Sequence, residues 1–86
     1  VRDNSQVVDV YPNPVVDYLN IRMGEDVTGT VKVEVINSSG VKVVTDELSI
    51  SPVAPARIDL SSLSSGSYIV RVVYNDIDVK RNFIKL

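Results

Sequence analysis

Valine and isoleucine dominate this sequence, with eighteen and seven of its 86 residues, whereas leucine and alanine together contribute only seven. Side chains that branch at Cβ are stiff about χ1 and fit a pleated sheet better than a helix. They recur in short alternating runs separated by Gly, Pro, Asn and Ser, and no segment keeps a helical period beyond one turn. The sequence therefore predicts an all-β domain, an immunoglobulin-like antiparallel β-sandwich of about seven strands.

The length and composition favour a single small domain. Eighty-six residues of which 44% are hydrophobic provide enough apolar side chains for a folded core. We interpret residues 1–86 as one domain with a linker remnant at residues 1–6, and the start at Val1 suggests a piece of a larger protein. No apolar run approaches the roughly 18–20 residues that span a bilayer, and we find no secretion leader.

The expected strands are residues 7–10, 18–23, 30–37, 41–48, 56–60, 67–74 and 77–86. Pro12 and Pro14 lack an N–H, so the chain should turn or cross between sheets there. Residues 37–40 should form a hairpin turn that uses the freedom of Gly40 to take a positive φ. In the last strand, Phe83 and Ile84 imply opposite phases, which predicts a bulge near residues 81–82.

The alternation also predicts which side chains face the core. Leu19, Ile21 and Met23 should face inward, as should Val31, Val33 and Val35, whereas Lys32, Glu34 and Tyr18 should face outward. Leu63 is the only apolar residue of a serine-rich connection and should plug the core. Gly66 should provide a turn geometry that other residues resist. Tyr68 should pack inward with its hydroxyl hydrogen-bonded near a loop.

The sequence offers little for catalysis, metal binding or nucleic acid. It has no His and no Cys, so the usual base of a nucleophilic triad and any thiol chemistry are missing. We interpret Glu25, Asp26, Asp76 and Asp78 as solvated loop or turn residues, because no calcium-loop pattern surrounds them. The net charge of −2 gives no electrostatic footprint for nucleic acid. We therefore expect no enzymatic activity, no cofactor, no metal and no small-molecule substrate.

The composition leaves two kinds of binding surface possible, one for sugars and one for a receptor. Exposed aromatic rings can act as stacking platforms for sugars, and Tyr18 is the one ring expected on an outer face, whereas Tyr68 and Phe83 should be core. The basic residues of the last strand either protect an exposed edge from aggregation or form a recognition strip for a receptor.

Four segments resemble segments of the C-terminal sorting domain of the type IX (Por) secretion system, and they occur in the same order as in that family. They are residues 10–14 with 19–21, the hairpin of residues 33–43, residues 58–72, and residues 80–86. The resemblance covers residues 8–86 and is carried most clearly by Tyr11, Pro12, Asn13, Pro14, Leu19, Ile21, Gly40, Leu63, Gly66, Tyr68 and Val70. We expect the proline and glycine segments among these to act mainly through structure.

The resemblance implies a non-catalytic address at the C-terminus of an exported protein of a gram-negative bacterium. It implies an N-terminal cargo domain in the same polypeptide, transit through the periplasm and reading by an outer-membrane translocon. A sortase-like peptidase then often removes the domain upstream of its first strand, and the cargo stays at the cell surface or is released. The alternative is an accessory adhesive or carbohydrate-binding module of a surface protein.

We expect the receptor to contact the last strand by adding a strand to its edge. Lys80 and Lys85 would then set register and orientation. The expected recognition residues are Val79, Lys80, Arg81, Phe83, Ile84, Lys85 and Leu86.

Overall fold

The computed structural model describes residues 8–24, 29–51, 54–74 and 77–86, which form two antiparallel sheets packed face to face. The strands are β1 (Val8–Tyr11), β2 (Tyr18–Met23), β3 (Gly29–Asn37), β4 (Lys42–Ile50), β5 (Ala56–Asp59), β6 (Gly66–Tyr74) and β7 (Ile77–Lys85). One sheet has the order β1-β2-β5 and the other β4-β3-β6-β7. The predicted seven-stranded antiparallel β-sandwich is confirmed, and the predicted bounds differ from these by at most two residues.

Some predictions fall outside the described residues. These are the linker remnant at residues 1–6, the first residue of the first strand, and the loop and turn carboxylates Glu25, Asp26 and Asp76. Within the part of the chain that the structure describes, no helix is long and apolar enough to cross a membrane.

The core lies between the inward faces of the two sheets and follows the predicted alternation. Leu63 is half-buried and packs against it, as predicted. The largest side chains that are almost completely buried are Phe83, Leu19, Ile21, Leu60, Val15, Val31, Val33, Val35, Val70 and Val72. These residues come from β2, β3, β6, β7 and the connections, so the core depends on both sheets.

The hairpin between β3 and β4 is built as the sequence predicts. Gly40 has φ = 84°, and its N–H donates to the carbonyl of Asn37 at 2.9 Å. The side-chain oxygen of Asn37 accepts from the N–H groups of Ser39 and Val41, at 3.0 Å each. Asn37 thus closes the turn with both its backbone and its side chain, which explains an asparagine at this position.

Tyr68, near the start of β6, ties the preceding connection to the core. Its hydroxyl donates to the carbonyl of Ser64 at 2.7 Å, and its ring stacks on Phe83 with centroids 5.7 Å apart. A tyrosine that bonds to the backbone a few residues upstream is the tyrosine corner of immunoglobulin-like sandwiches. The prediction of an inward Tyr68 with a loop-bonded hydroxyl is confirmed. Gly66, two residues before it, has φ = 155°, a conformation that other residues rarely adopt, as predicted, but it is the first residue of β6 and pairs with Lys85 instead of lying in the turn.

Replacing Tyr68 by phenylalanine should lower the free energy of unfolding by about 1 kcal/mol, because it removes one hydrogen bond and keeps the ring. Urea unfolding followed by circular dichroism would show this as a lower midpoint with an unchanged slope. The matched control is Tyr18→Phe, which removes the hydroxyl of an exposed ring and should leave the midpoint unchanged. Equal midpoints for the two variants would contradict the role given to the Tyr68 hydroxyl.

The bulge predicted near residues 81–82 is wrong. β7 pairs with β6 in unbroken register from Gly66 opposite Lys85 to Tyr74 opposite Ile77. Ile84 and Leu86 therefore lie on the outer face, with 42% and 60% of their surfaces exposed, while Lys85 faces inward and is buried. The ammonium of Lys85 donates to the main-chain oxygen of Leu86 at 2.7 Å, so an inward lysine at this end of the strand has a partner.

Candidate recognition surface

β7 forms one edge of the four-stranded sheet, as the sequence predicted. The end of this edge is covered by the segment that leaves β1. Val15 donates to the carbonyl of Ile84 at 2.7 Å and accepts from the N–H of Leu86 at 2.8 Å. Asn13 adds its side-chain oxygen, which accepts from the N–H of Ile84 at 3.0 Å. Residues 13–15, which we call the strap, thus connect the first sheet to the edge of the second and confirm the predicted crossing.

Among the described residues, the strap reaches only the end of β7. The N–H and carbonyl of Ile84 point away from β6, towards the strap. Backbone groups of successive residues in an antiparallel strand point to opposite sides, so those of Asp78, Lys80 and Asn82 share the direction of Ile84. We call residues 78–82 the open edge of β7, because it presents outward-facing backbone groups that the strap does not reach.

The structure separates six of the seven predicted recognition residues into two groups, and the seventh, Arg81, is half-buried. Val79, Phe83 and Lys85 are buried, so their side chains serve the fold. Lys80, Ile84 and Leu86 are exposed. A receptor can therefore touch Lys80, Ile84 and Leu86 directly, and it meets the buried positions only through the backbone. Recognition by these residues stays a prediction.

Arg81 is half-buried and bridges the two sheets. Its Nη1 donates to the carbonyl of Lys80 at 3.0 Å, and its Nη2 donates to the carbonyl of Val8 at 3.5 Å. One of the outward carbonyls of the open edge is thus occupied by a side chain of the same strand. Through the bond to Val8, Arg81 joins β7 to β1.

A network of charges crosses the outer face of the four-stranded sheet around Glu34. Glu34 faces outward as predicted, but only 3% of its side chain is exposed, because cationic side chains cover it. Its carboxylate lies 3.1 Å from Lys42, 3.2 Å from Arg71 and 3.7 Å from Lys32. Arg71 also binds both carboxylate oxygens of Asp78, at 2.9 and 2.7 Å. The network therefore links all four neighbouring strands, β4, β3, β6 and β7, on the outer side of the sheet.

The partners of these carboxylates change their acidity. The hydrogen bond from Lys42, helped by Arg71, holds the pKa of Glu34 below its ordinary value of 4.5, although burial acts in the opposite direction. Arg71 likewise lowers the pKa of Asp78, and hydrogen bonds from Ser61 lower the pKa of Asp59. All three groups bind protons more weakly in the folded than in the unfolded chain. They contribute stability above the unfolded pKa values, and this contribution is lost as the pH falls through the folded values.

Replacing Glu34 by glutamine should flatten the acid side of the stability profile. Native Glu34 makes the free energy of unfolding fall as the pH drops below 4.5, the ordinary pKa of this group, since the unfolded chain takes up the proton more readily. The variant loses this contribution, is less stable near neutral pH and depends less on pH below it. Urea unfolding at several pH values would measure both effects, with the exposed Asp17→Asn as the control. A variant with the full acid slope of the native chain would contradict this role of Glu34.

An open groove of about 460 Å³ lies on the outer face of the same sheet, where β6 and β7 meet the β3–β4 turn. Ile36 and Ile69 are cross-strand neighbours, and Asn82 stands next to Ile69 on β7. Ser67 and Ile84 form the next pair towards the end of the sheet. Each of the four segments that resemble a sorting domain borders this groove, through Asn13, Gly40, Ser67 and Ile84.

The sequence did not indicate this groove. The alternation along β6 puts Ile69 on the face opposite Tyr68 and Val70, but the convergence of Ile36, Ile69 and Ile84 depends on strand order. The hydrogen bond between Asn13 and Ile84 joins residues 71 positions apart, and no local pattern reports it. The available signal was a set of isoleucines at outward positions close to the ends of three strands.

The exposed aromatic rings give limited support to sugar binding. Tyr68 and Phe83 are buried and Tyr18 is exposed, as predicted. The guanidinium of Arg57 lies over the Tyr18 ring, 4.4 Å from its centroid. This contact occupies one face of the ring, so a sugar would find a smaller platform than the sequence implied.

The described carboxylates are dispersed. Among residues 8–24, 29–51, 54–74 and 77–86, no three His, Cys, Asp or Glu side chains are grouped in a way that could hold a metal ion. Asp78 is bound by Arg71, whereas its expected neighbour Asp76 lies outside the described residues.

Comparison with known families connects these features. A family model described as the secretion system C-terminal sorting domain matches residues 9–86, which is nearly the whole chain. A comparison with curated proteins found no match. Domains of this family are non-catalytic signals that interact with the type IX machinery and sort their cargo to the cell surface or the exterior. The match covers all four segments that bear the resemblance and the strands that assemble the open edge and the groove, and the chain therefore belongs to the type IX secretion C-terminal sorting domains.

Proposed function

We propose that an outer-membrane translocon recognises this folded domain as a sorting signal. Recognition occurs by addition of a strand of the translocon to the open edge of β7. The observation that supports this proposal is the contrast along one edge. Its end is bonded to the strap, whereas the outward backbone groups of residues 78–82 lie beyond the strap's reach. Main-chain hydrogen bonds to such an edge supply affinity, and the neighbouring side chains supply specificity.

The side chains around the open edge define how an added strand would be held. Lys80 is exposed beside it and can pair with a carboxylate of the receptor. The carbonyl of Lys80 already accepts a hydrogen bond from the Arg81 side chain. A backbone N–H of the added strand would therefore replace the Arg81 guanidinium as the donor to this carbonyl. Lys85 is buried and has no direct part in setting the register of the receptor strand.

The remaining steps follow from the resemblance to the family. The cargo is the N-terminal part of the same polypeptide and passes through the periplasm. A sortase-like peptidase cuts upstream of β1, after which the cargo stays on the surface or is released. A cut there leaves the whole β-sandwich intact, in keeping with a label that is removed after it has been read.

The test uses a fluorescent reporter fused to residues 1–86, followed in hosts with and without the translocon. The informative variant is Lys80→Pro, because proline removes the outward N–H and blocks strand addition, while an edge strand tolerates it on its solvent side. Lys80→Ala is the matched control, since it removes the same side chain and keeps the N–H. Both variants must first show the circular dichroism and cooperative unfolding of the native chain.

We expect surface delivery to be largely lost with Lys80→Pro and only partly reduced with Lys80→Ala, which loses the ion pair to the receptor but keeps the main-chain hydrogen bond. Native delivery of a folded Lys80→Pro variant would rule out strand addition at this edge. If the reporter fused to the native chain reaches the surface equally well in hosts without the translocon, the domain does not act as a signal for that translocon.

A further inference from the structure

The outer face of a β-sandwich is normally polar, but three isoleucines depart from this rule at one end of the four-stranded sheet. Ile36, Ile69 and Ile84 lie on the outer face and line the groove. None of them belongs to the buried core. A contiguous apolar surface rimmed by polar groups is typical of a site where another molecule docks.

The rim of the groove suits an extended peptide. Asn13, Ser67 and Asn82 border the isoleucines and carry uncharged groups that can donate and accept hydrogen bonds. The backbone of an extended segment requires both kinds of partner, and its alternate side chains point to one face. The groove therefore combines apolar contacts for alternate side chains with hydrogen-bonding partners for the peptide units between them.

The charge beside the groove is positive, although the whole chain carries −2. Lys42 lies directly opposite Ile36, and Arg71 and Lys80 form the next row across the sheet. Of the carboxylates in the same network, Glu34 is buried under Lys42 and Arg71, and Asp78 is bound to Arg71. The two lysines are exposed to solvent, so the groove attracts a segment with acidic residues.

We propose that this groove docks an extended segment of the secretion machinery in which aliphatic side chains alternate with acidic residues. The proposal rests on the proposed function, since it assigns a second contact surface to the same reader. It differs from strand addition, because it uses the outer face of the sheet instead of the edge of β7. It also explains why segments far apart in the sequence converge on one end of the molecule.

The first experiment measures binding to the 86-residue chain directly. The probe is a capped pentapeptide of alternating valine and aspartate, titrated into isotopically labelled protein and followed by the amide signals in NMR spectra. We expect saturable shifts at Ile36, Ile69 and Ile84. A matched peptide of alternating valine and lysine should bind at least about fivefold more weakly, because it meets Lys42 and Lys80. Equal binding of the two peptides, or shifts elsewhere on the surface, would overturn the proposal.

The second experiment compares two variants on the same strand. Ile69 and Val73 are both half-buried on the outer face of β6, but only Ile69 borders the groove. We expect Ile69→Glu to lose peptide binding and most of the surface delivery of the reporter, and Val73→Glu to keep both. If Ile69→Glu does not fold, Ile69→Thr takes its place, because it keeps the branched Cβ and removes apolar surface.

The outcomes separate the two proposals. If the reporter fused to the native chain reaches the surface only with the translocon, and the folded Ile69 and Val73 variants are delivered equally, the groove proposal is wrong and the function stands. If the native reporter is delivered without the translocon, the function is wrong whatever the peptides show.

Discussion

Replacing Phe83 by alanine should lower the free energy of unfolding by about 3–5 kcal/mol, the usual cost of deleting a buried phenylalanine. Phe83 is almost completely buried and its ring stacks on Tyr68. Since a domain of this kind has a total stability of about 5–15 kcal/mol, the variant should lose a substantial part of it. Urea unfolding followed by circular dichroism is the appropriate measurement, as the chain has no tryptophan.

Ile84→Ala is the matched control for this experiment. Ile84 is the next residue in β7, but its side chain is exposed on the outer face, so its loss should cost no more than about 0.5 kcal/mol. Similar losses for the two variants would contradict the register of β7. The comparison also matters for interpreting export experiments in which residues 83–86 are deleted. Such a deletion removes Phe83 and the hydrogen bonds to the strap at the same time. Failed export of such a truncated chain would report unfolding as readily as lost recognition.

Replacing Val15 by aspartate is the second change expected to have a large effect. Val15 is completely buried, and its backbone is bonded to the end of β7. A carboxylate at this position would be desolvated without a designed partner, at an effective cost of several kcal/mol. We expect a destabilisation of about 3 kcal/mol or more, measured by the same urea titration.

Val16→Asp provides the control within the same segment. Val16 follows directly, but 57% of its surface is exposed, so the same substitution should change stability by no more than about 0.5 kcal/mol. A large loss at Val16, or a small one at Val15, would show that the strap does not seat Val15 in the core. The expected contrast would assign the proline-containing motif to the stability of the fold.

Much of the fold could be predicted because it depends on local alternation. A period of two identified the strands and the inward faces of β2 and β3, and the tyrosine near the start of β6 indicated its hydrogen-bonded hydroxyl. The phase of β7 was harder, because apolar Ile84 and Leu86 lie outside while Lys85 is buried. Hydrophobicity alone suggested two phases and a bulge, whereas pairing with β6 imposes a single register.

The surface was less predictable, because its properties arise between strands distant in the sequence. The burial of Glu34 depends on Arg71, 37 residues away, and on Lys42 across the sheet. The predicted recognition residues were chosen as one continuous run of the last strand, so they included side chains of both faces. Sequence position identified the strand, but only the packing shows which of its side chains a partner can reach.

The strap has a mechanical consequence. Val15 and the end of β7 run parallel to each other, and the chain enters the strap from β1. Tension applied between Val8 and Leu86 would load the bonds of Asn13 and Val15 to β7 simultaneously, in shear, before it could peel the strand away. If β7 were held and the attached cargo pulled on β1, the hydrogen bonds between the strap and β7 would therefore resist the force first. The four-stranded sheet would then carry less of that force.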